Sequence, residues 1–239
     1  MDKLRWIYRA WRYRLKLEKQ EITCLRRLLR RGDTAVDVGA HKGAYTYWML
    51  RRVGRRGKVY AFEPQPDLHE ALMDLVPDRN VIVENMGLSS KTGVLTLNVP
   101  SLHASPGASF EEVAGGTAAE QSYPVQVTSL DEYFDGGETE QVRMIKCDAE
   151  GHELEVFRGA ENLLRRQHPH LLFECETRHR GGGSVAEVFS WLSGLGYRGY
   201  FIAPDGLHSI GEFDPDVHQA DNNAPNYVNN FLFSRGVSG

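Results

Sequence analysis

Two glycines between two acids carry the first legible chemistry in this 239-residue chain. Thr34-Ala-Val-Asp37-Val-Gly39-Ala-His41-Lys-Gly43 is a short apolar run closing in small residues, and Val59-Tyr-Ala-Phe-Glu63-Pro64 is a second apolar run closing in a carboxylate. A strand, a glycine turn, a helix and a second strand set such a carboxylate where it accepts hydrogen bonds from the two hydroxyls of a ribose. The glycines are spaced G-x-x-x-G, and His41 stands where a dinucleotide fingerprint needs a glycine for approach of the pyrophosphate. That side chain would crowd a diphosphate. An adenosine ligand without phosphates, S-adenosylmethionine, fits better, with its amino-acid end over residues 39–43 and its ribose against Glu63.

The second constellation is Ile145-Lys-Cys-Asp148-Ala-Glu150-Gly-His152-Glu153. A strand ending at Cys147 sets Asp148 at the carboxyl edge of a sheet, where open α/β folds bind ligands. Asp148 is also a favoured N-cap for the helix that follows. An alcohol has a pKa of roughly 16 and an aspartate one of about 4, so a carboxylate cannot deprotonate a hydroxyl beforehand. The proton must leave as the methyl arrives, and His152 is the expected base, with Asp148 or Glu150 orienting the acceptor. In His170-Leu-Leu-Phe-Glu174-Cys-Glu176 two more carboxylates end the next strand. Asp148 with Glu174 would form the oxygen pair of an alternative Mg²⁺ route; the expectation is the metal-free one.

These groups need strands to hold them. Strands are read at 34–38, 57–62, 80–84, 93–99, 125–130, 142–147, 170–175, 197–202 and 230–233, alternating over most of the chain with helices at 43–53, 66–76, 153–165 and 185–195. Such alternation means a mostly parallel sheet with helices on both faces. Residues 1–31 read as a basic helical segment carrying eleven Lys and Arg against three acids, and the remaining 32–239 as the ligand-binding domain. That segment holds about +8 of charge while the whole chain is at −4. Trp6 and Trp11 among its arginines are read as a helix packed on its own domain, the other uses of such a face being peripheral contact with anionic lipid or, less favoured, nucleic acid. Residues 100–122, rich in Ser, Ala, Gly and Pro, read as a lid or specificity loop.

Cys24, Cys147 and Cys175 have no paired spacing, which suggests reduced thiols inside a cell. No apolar run long enough to span a bilayer is present, and the expected location is the cytoplasm.

Five ordered blocks resemble the FkbM-like family of S-adenosylmethionine-dependent methyltransferases. They are Val36-Asp-Val-Gly-Ala-His-Lys-Gly-Ala-Tyr-Thr46, Val59-Tyr-Ala-Phe-Glu-Pro-Gln-Pro66, Asn80-Val81 with Gly87-Leu-Ser89, Thr128-Ser-Leu-Asp131, and Ile145-Lys-Cys-Asp-Ala-Glu-Gly-His-Glu153 through Arg158-Gly-Ala160. The resemblance covers residues 33–177, with His41 and Ala149 standing where the family commonly has Asn and Val. It implies a Rossmann-like class I methyltransferase sheet, seven-stranded and mostly parallel with a reversed last strand. It further implies O-methylation of a sugar, glycan or secondary-metabolite hydroxyl. By the same resemblance Asp37, Gly39 and Glu63 belong to the cofactor site, and Asp148 and Glu150 to the reacting end. The cofactor set drawn from these blocks is Asp37, Gly39, Ala40, His41, Gly43, Tyr45, Thr46, Glu63, Pro64, Gly87 and Asp148. The [Asp/Asn]-Pro-Pro-[Tyr/Phe] signature of amino-group methylation is absent, which disfavours a nucleic-acid base as acceptor.

The competing readings are an NAD-dependent oxidoreductase on the same sheet and a non-catalytic binding protein working through its basic helix. The acceptor has no readable motif, and the sequence leaves a homo-oligomer open.

Overall fold

The computed structural model describes residues 2–76, 80–99, 108–110, 121–135, 141–179 and 184–236. The chain opens with α1 (Lys3–Arg12), a π-helical stretch (Tyr13–Leu17) and α2 (Lys19–Leu28). The first half continues through β1 (Thr34–Val38), α3 (Ala44–Val53), β2 (Lys58–Phe62), α4 (Pro66–Met73), β3 (Val81–Glu84), β4 (Gly87–Leu88) and β5 (Gly93–Val99). Then come β6 (Gln121–Thr128), α5 (Leu130–Tyr133), β7 (Val142–Cys147), α6 (Glu153–Arg158), α7 (Glu161–Gln167) and β8 (His170–Glu174). The last part holds α8 (Val185–Gly194), β9 (Arg198–Ala203), β10 (Gly206–Ser209), α9 (Pro215–His218) and β11 (Asn230–Ser234).

Every residue of β1 is buried, as a strand covered on both faces requires. It pairs in parallel with β2 on one side and β7 on the other. The strand order is β10-β9-β11-β8-β7-β1-β2-β3. From β1 the chain winds out to β2 and β3, then returns to lay β7 and β8 on the opposite side, so a crevice opens at the carboxyl ends of β1 and β7. The reversed last strand is present: β11 runs antiparallel between β8 and β9. The sheet has eight strands where the sequence predicts seven, because the two residues Pro204 and Asp205 turn the chain back and add β10 along the edge of β9.

A second sheet, ordered β4-β6-β5, flanks the carboxyl end. Pro124 lies within β6, yet β4 pairs only with Val127 and Thr128, so the missing N–H falls where β6 has one neighbour. Most of the expected 100–122 loop is outside the described residues; within it Ser109 bridges to Asn98.

The helix expected over 153–165 is broken at Gly159, where an added Cβ would come within 2.1 Å of the Ser89 carbonyl oxygen. Close backbone approach ends α6, and Asp131 restarts the helix by accepting from the N–H groups of Asn162 and Leu163 at the head of α7.

The sheet's two faces carry separate cores. One gathers Phe62, Phe157, Phe173, Phe231 and Phe233. The other joins Met49, Val59 and Met144 to Ile22, Leu25 and Leu29, so the amino-terminal segment is packed into the same apolar layer as α3. That segment is two helices, not one. The π-helical stretch ends at Glu18 (φ −130°, ψ 55°), which leaves the helical region and turns the chain into α2. The Trp6 indole donates to the Gly43 carbonyl at 2.7 Å, and the Trp48 indole to that of Ala10 at 2.8 Å.

Candidate active site

The turn after β1 is built from positive-φ residues, Gly39 (69°), His41 (49°) and Gly43 (72°). At Gly39 a Cβ would sit 2.0 Å from the Asp148 carbonyl oxygen, so only glycine lets this turn lie against the end of β7. The N–H of Asp148 closes the seam on the Val38 carbonyl at 3.1 Å. Two further N–H groups, of Gly39 and Ala40, donate to the Phe62 carbonyl and tie the turn to β2.

That tie presents Glu63. Its carboxylate accepts from the His41 N–H at 2.7 Å and the Gln65 N–H at 2.9 Å, and the side chain is buried. Burial pushes its pKa up to about 7 against the pull of those two donors. Asp37, wholly buried, accepts at Oδ2 from the Thr46 hydroxyl at 2.5 Å, and burial raises its pKa.

Lys146 lies beside Asp37 in the β1–β7 register. Its ammonium grips Asp148 Oδ2 at 3.0 Å and sits 4.9 Å from the centre of the Tyr45 ring. Burial alone would lower the lysine's pKa, but Asp148, Asp37 and Glu18 together raise it, so the charge is kept. The Tyr45 hydroxyl donates to Glu18, which arrives from the amino-terminal segment and whose pKa burial pushes up to about 7.

At the next strand end, burial and the charges of Asp148 and Glu150 hold the Glu174 carboxyl well above the usual range. The neighbouring Glu176, despite its burial, is held low by hydrogen bonds from Arg178, Tyr227 and Asn229.

Asp37, Glu63, Lys146, Asp148, Glu18 and Glu174 line one cavity of about 530 Å³, a volume suited to a cofactor-sized ligand. Of the residues expected from sequence, Asp37, Gly39, Ala40, His41, Tyr45, Glu63, Pro64, Gly87, Asp148, Glu150 and Glu174 line it. Gly43, Thr46 and His152 do not. Gly43 lies under Trp6 and Leu72, and Thr46 acts through its bond to Asp37. His152, the base expected from sequence, is buried behind the wall, where Nε2 lies 2.9 Å from the Ser89 hydroxyl and the ring packs edgewise on Phe110. Asp148 and Glu150, expected beside it, do line the cavity.

Sequence reasoning passed over Lys146, Arg9, Tyr13, Glu18, Phe110 and Arg178, all of which line the cavity. Lys146 had a signal, a lysine inside an apolar strand; the residues of the first segment had none.

The fit to S-adenosylmethionine rests on two oxygens. Oδ1 of Asp37 and Oδ1 of Asp148 are buried without a hydrogen-bond partner among the described residues. Buried carboxylate oxygens require partners, and the ligand's ammonium and an acceptor hydroxyl are donors of the right kind. Among the described residues no group of three His, Cys, Asp or Glu side chains is arranged to hold a metal ion. Of the pair considered for Mg²⁺, Asp148 is engaged by Lys146 and Glu174 accepts from Asn229 at 2.8 Å.

The profile of the Methyltransferase FkbM domain matches residues 37–198. The hexuronic acid methyltransferase AglP of Haloferax volcanii is 34% identical over 162 residues, which make up 65% of this chain and 62% of AglP. The chain thus matches less than two thirds of that relative's length. The structure of Methyltransferase FkbM from Methylobacillus flagellatus shares the fold at a TM-score of 0.53 and 15% identity, covering 97% of this chain and 54% of that one. A protein from Clostridium thermocellum provisionally assigned as an rRNA methylase shares it at 0.52 and 14%, covering 92% and 96%.

Proposed function

The chain belongs to the FkbM methyltransferase family, and on that premise we propose that it transfers the methyl group of S-adenosylmethionine to a hydroxyl of a sugar or glycan. The observation that carries the reading is Asp148: one carboxylate oxygen held by Lys146, the other buried in the cavity wall without a hydrogen-bond partner among the described residues. An acidic sugar is the favoured acceptor. The name of the 34%-identical relative supports it, as does the presence of Arg9 among the residues lining the cavity. Cys24, Cys147 and Cys175 form no disulfide, in keeping with a reducing compartment, and we assign the reaction to the cytoplasm.

Bound S-adenosylmethionine supplies a methyl group already activated on a sulfonium, which leaves the protein alignment, exclusion of water and proton handling. Glu63 receives the ribose hydroxyls, its carboxylate fixed by two backbone donors. Asp37 answers the donor's ammonium through Oδ1. Asp148 orients the acceptor hydroxyl through Oδ1 and takes its proton as the carbon–oxygen bond forms, since no carboxylate is basic enough to take it earlier. Lys146 stays cationic and fixes Asp148 while doing so.

The test is a kinetic comparison on hexuronic-acid glycosides, with the methylated position located by mass spectrometry and NMR. Asp148→Asn should lower kcat at saturating donor by about 10²–10⁴. His152→Ala should hold kcat within about threefold, as expected of a group outside the cavity. An Asp148→Asn enzyme as fast as the parent would overturn the assignment.

A further inference from the structure

The outer face of the amino-terminal segment is apolar where a solvent-facing helix is polar. Leu4, Tyr8, Trp11 and Leu15 recur at helical spacing and are 79%, 72%, 39% and 63% exposed. Of the eleven exposed large hydrophobic side chains among the described residues, six fall within residues 4–17. This is a firmly docked helix turned outward. Trp6 and Ala10 on its opposite face are buried, and the bonds Trp6–Gly43 and Trp48–Ala10 fix its rotation about its own axis.

Basic residues border the stripe. Counting 100° per residue along α1, Arg5 and Arg12 fall on one side of Leu4, Tyr8 and Trp11 and Lys3 on the other. The Arg14 guanidinium stacks 5.0 Å from the centre of the Trp11 ring and holds it at the stripe's edge. An apolar stripe between cationic margins, with Tyr and Trp on it, is the layout of a helix lying in a membrane interface. RNA would use the cations and leave Leu4 and Leu15 idle, whereas a bilayer with anionic headgroups answers both. No helix among the described residues is long and apolar enough to cross a membrane. We propose that α1 and the π-helical stretch form a peripheral docking surface for an anionic lipid bilayer, lying flat on it with Leu4, Tyr8, Trp11 and Leu15 inserted.

The experiment is co-sedimentation of the full chain with vesicles of phosphatidylglycerol and phosphatidylcholine, and with phosphatidylcholine alone. Expected is binding to the anionic vesicles, at least about tenfold weaker to the neutral ones. Leu4→Glu/Tyr8→Glu/Leu15→Glu should abolish it while circular dichroism and donor affinity stay at parent values, since these side chains touch neither core nor cavity. A blue shift of tryptophan emission on anionic vesicles, absent in Trp11→Phe, would place the stripe in the interface. Three results would overturn the proposal. One is vesicle binding unaffected by the triple change. Another is absence of vesicle binding with a dimer in light scattering that the triple change dissociates, which would assign the stripe to a second copy. The third is retention of homopolymeric RNA without any affinity for vesicles.

Discussion

A carboxyl group that must be ionised to hold a ribose but is buried enough to resist ionisation makes its ligand sensitive to pH. In the role proposed for it Glu63 is such a group, with a pKa of about 7 set by burial. Its folded value lies above its ordinary one of 4.5, so its contribution to the stability of the ligand-free protein is complete below about pH 4.5 and is lost as pH rises through 7. Donor affinity runs the other way, because the ionised form is the better acceptor of two hydroxyl hydrogen bonds. Calorimetric titration should give a dissociation constant about tenfold tighter at pH 8 than at pH 5.5, and Glu63→Gln should flatten the profile. A parent profile already flat over that range would refute the role given to Glu63. Asp37 and Glu63 stand out in the sequence because one lies next to last in an apolar run before a glycine turn and the other directly follows an apolar run. His152 lies outside the cavity for a reason no local pattern carries: Ser89 and Phe110, distant in sequence, hold its ring.

At the scale of elements, the turn between β1 and α3 is set by its contacts. Gly43 has φ +72°, and a Cβ there would meet Leu72 Cδ1 at 2.5 Å and Trp6 Nε1 at 2.9 Å. Gly43→Ala should therefore cost about 2 kcal/mol in urea unfolding and weaken donor binding together, since strain and the displaced indole act on the same turn. An alanine variant of unchanged stability and affinity would show that the turn tolerates both. The period of apolar residues made β1, β2, β7, β8 and β11 readable. It could not reveal the break after α6, caused by the Ser89 carbonyl across the fold, nor the turn at Glu18, where Tyr45 receives the chain. β10 escaped because Gly206-Leu-His-Ser209 is too short to show a period.

For the molecule as a whole, the question is whether the first thirty residues form an appendage or part of the body. We propose the latter. Leu25 is wholly buried in the cluster that contains Met49 and Val59, so the segment contributes to the core that the sheet itself uses. Leu25→Ala should lower stability by about 3 kcal/mol and shift one cooperative transition, with near-ultraviolet and far-ultraviolet dichroism melting together. Two separated transitions would mean an appendage. Charge distribution made the segment conspicuous in the sequence, but Arg9, Tyr13 and Glu18 on the cavity wall became visible only in three dimensions, because packing against α3 decides which face turns inward.

The same stretch of chain thus presents Arg9, Tyr13 and Glu18 to the reaction chamber and Leu4, Tyr8 and Leu15 to the outside. Docking of that outer face on lipid, as proposed above, would set this wall of the chamber against the bilayer.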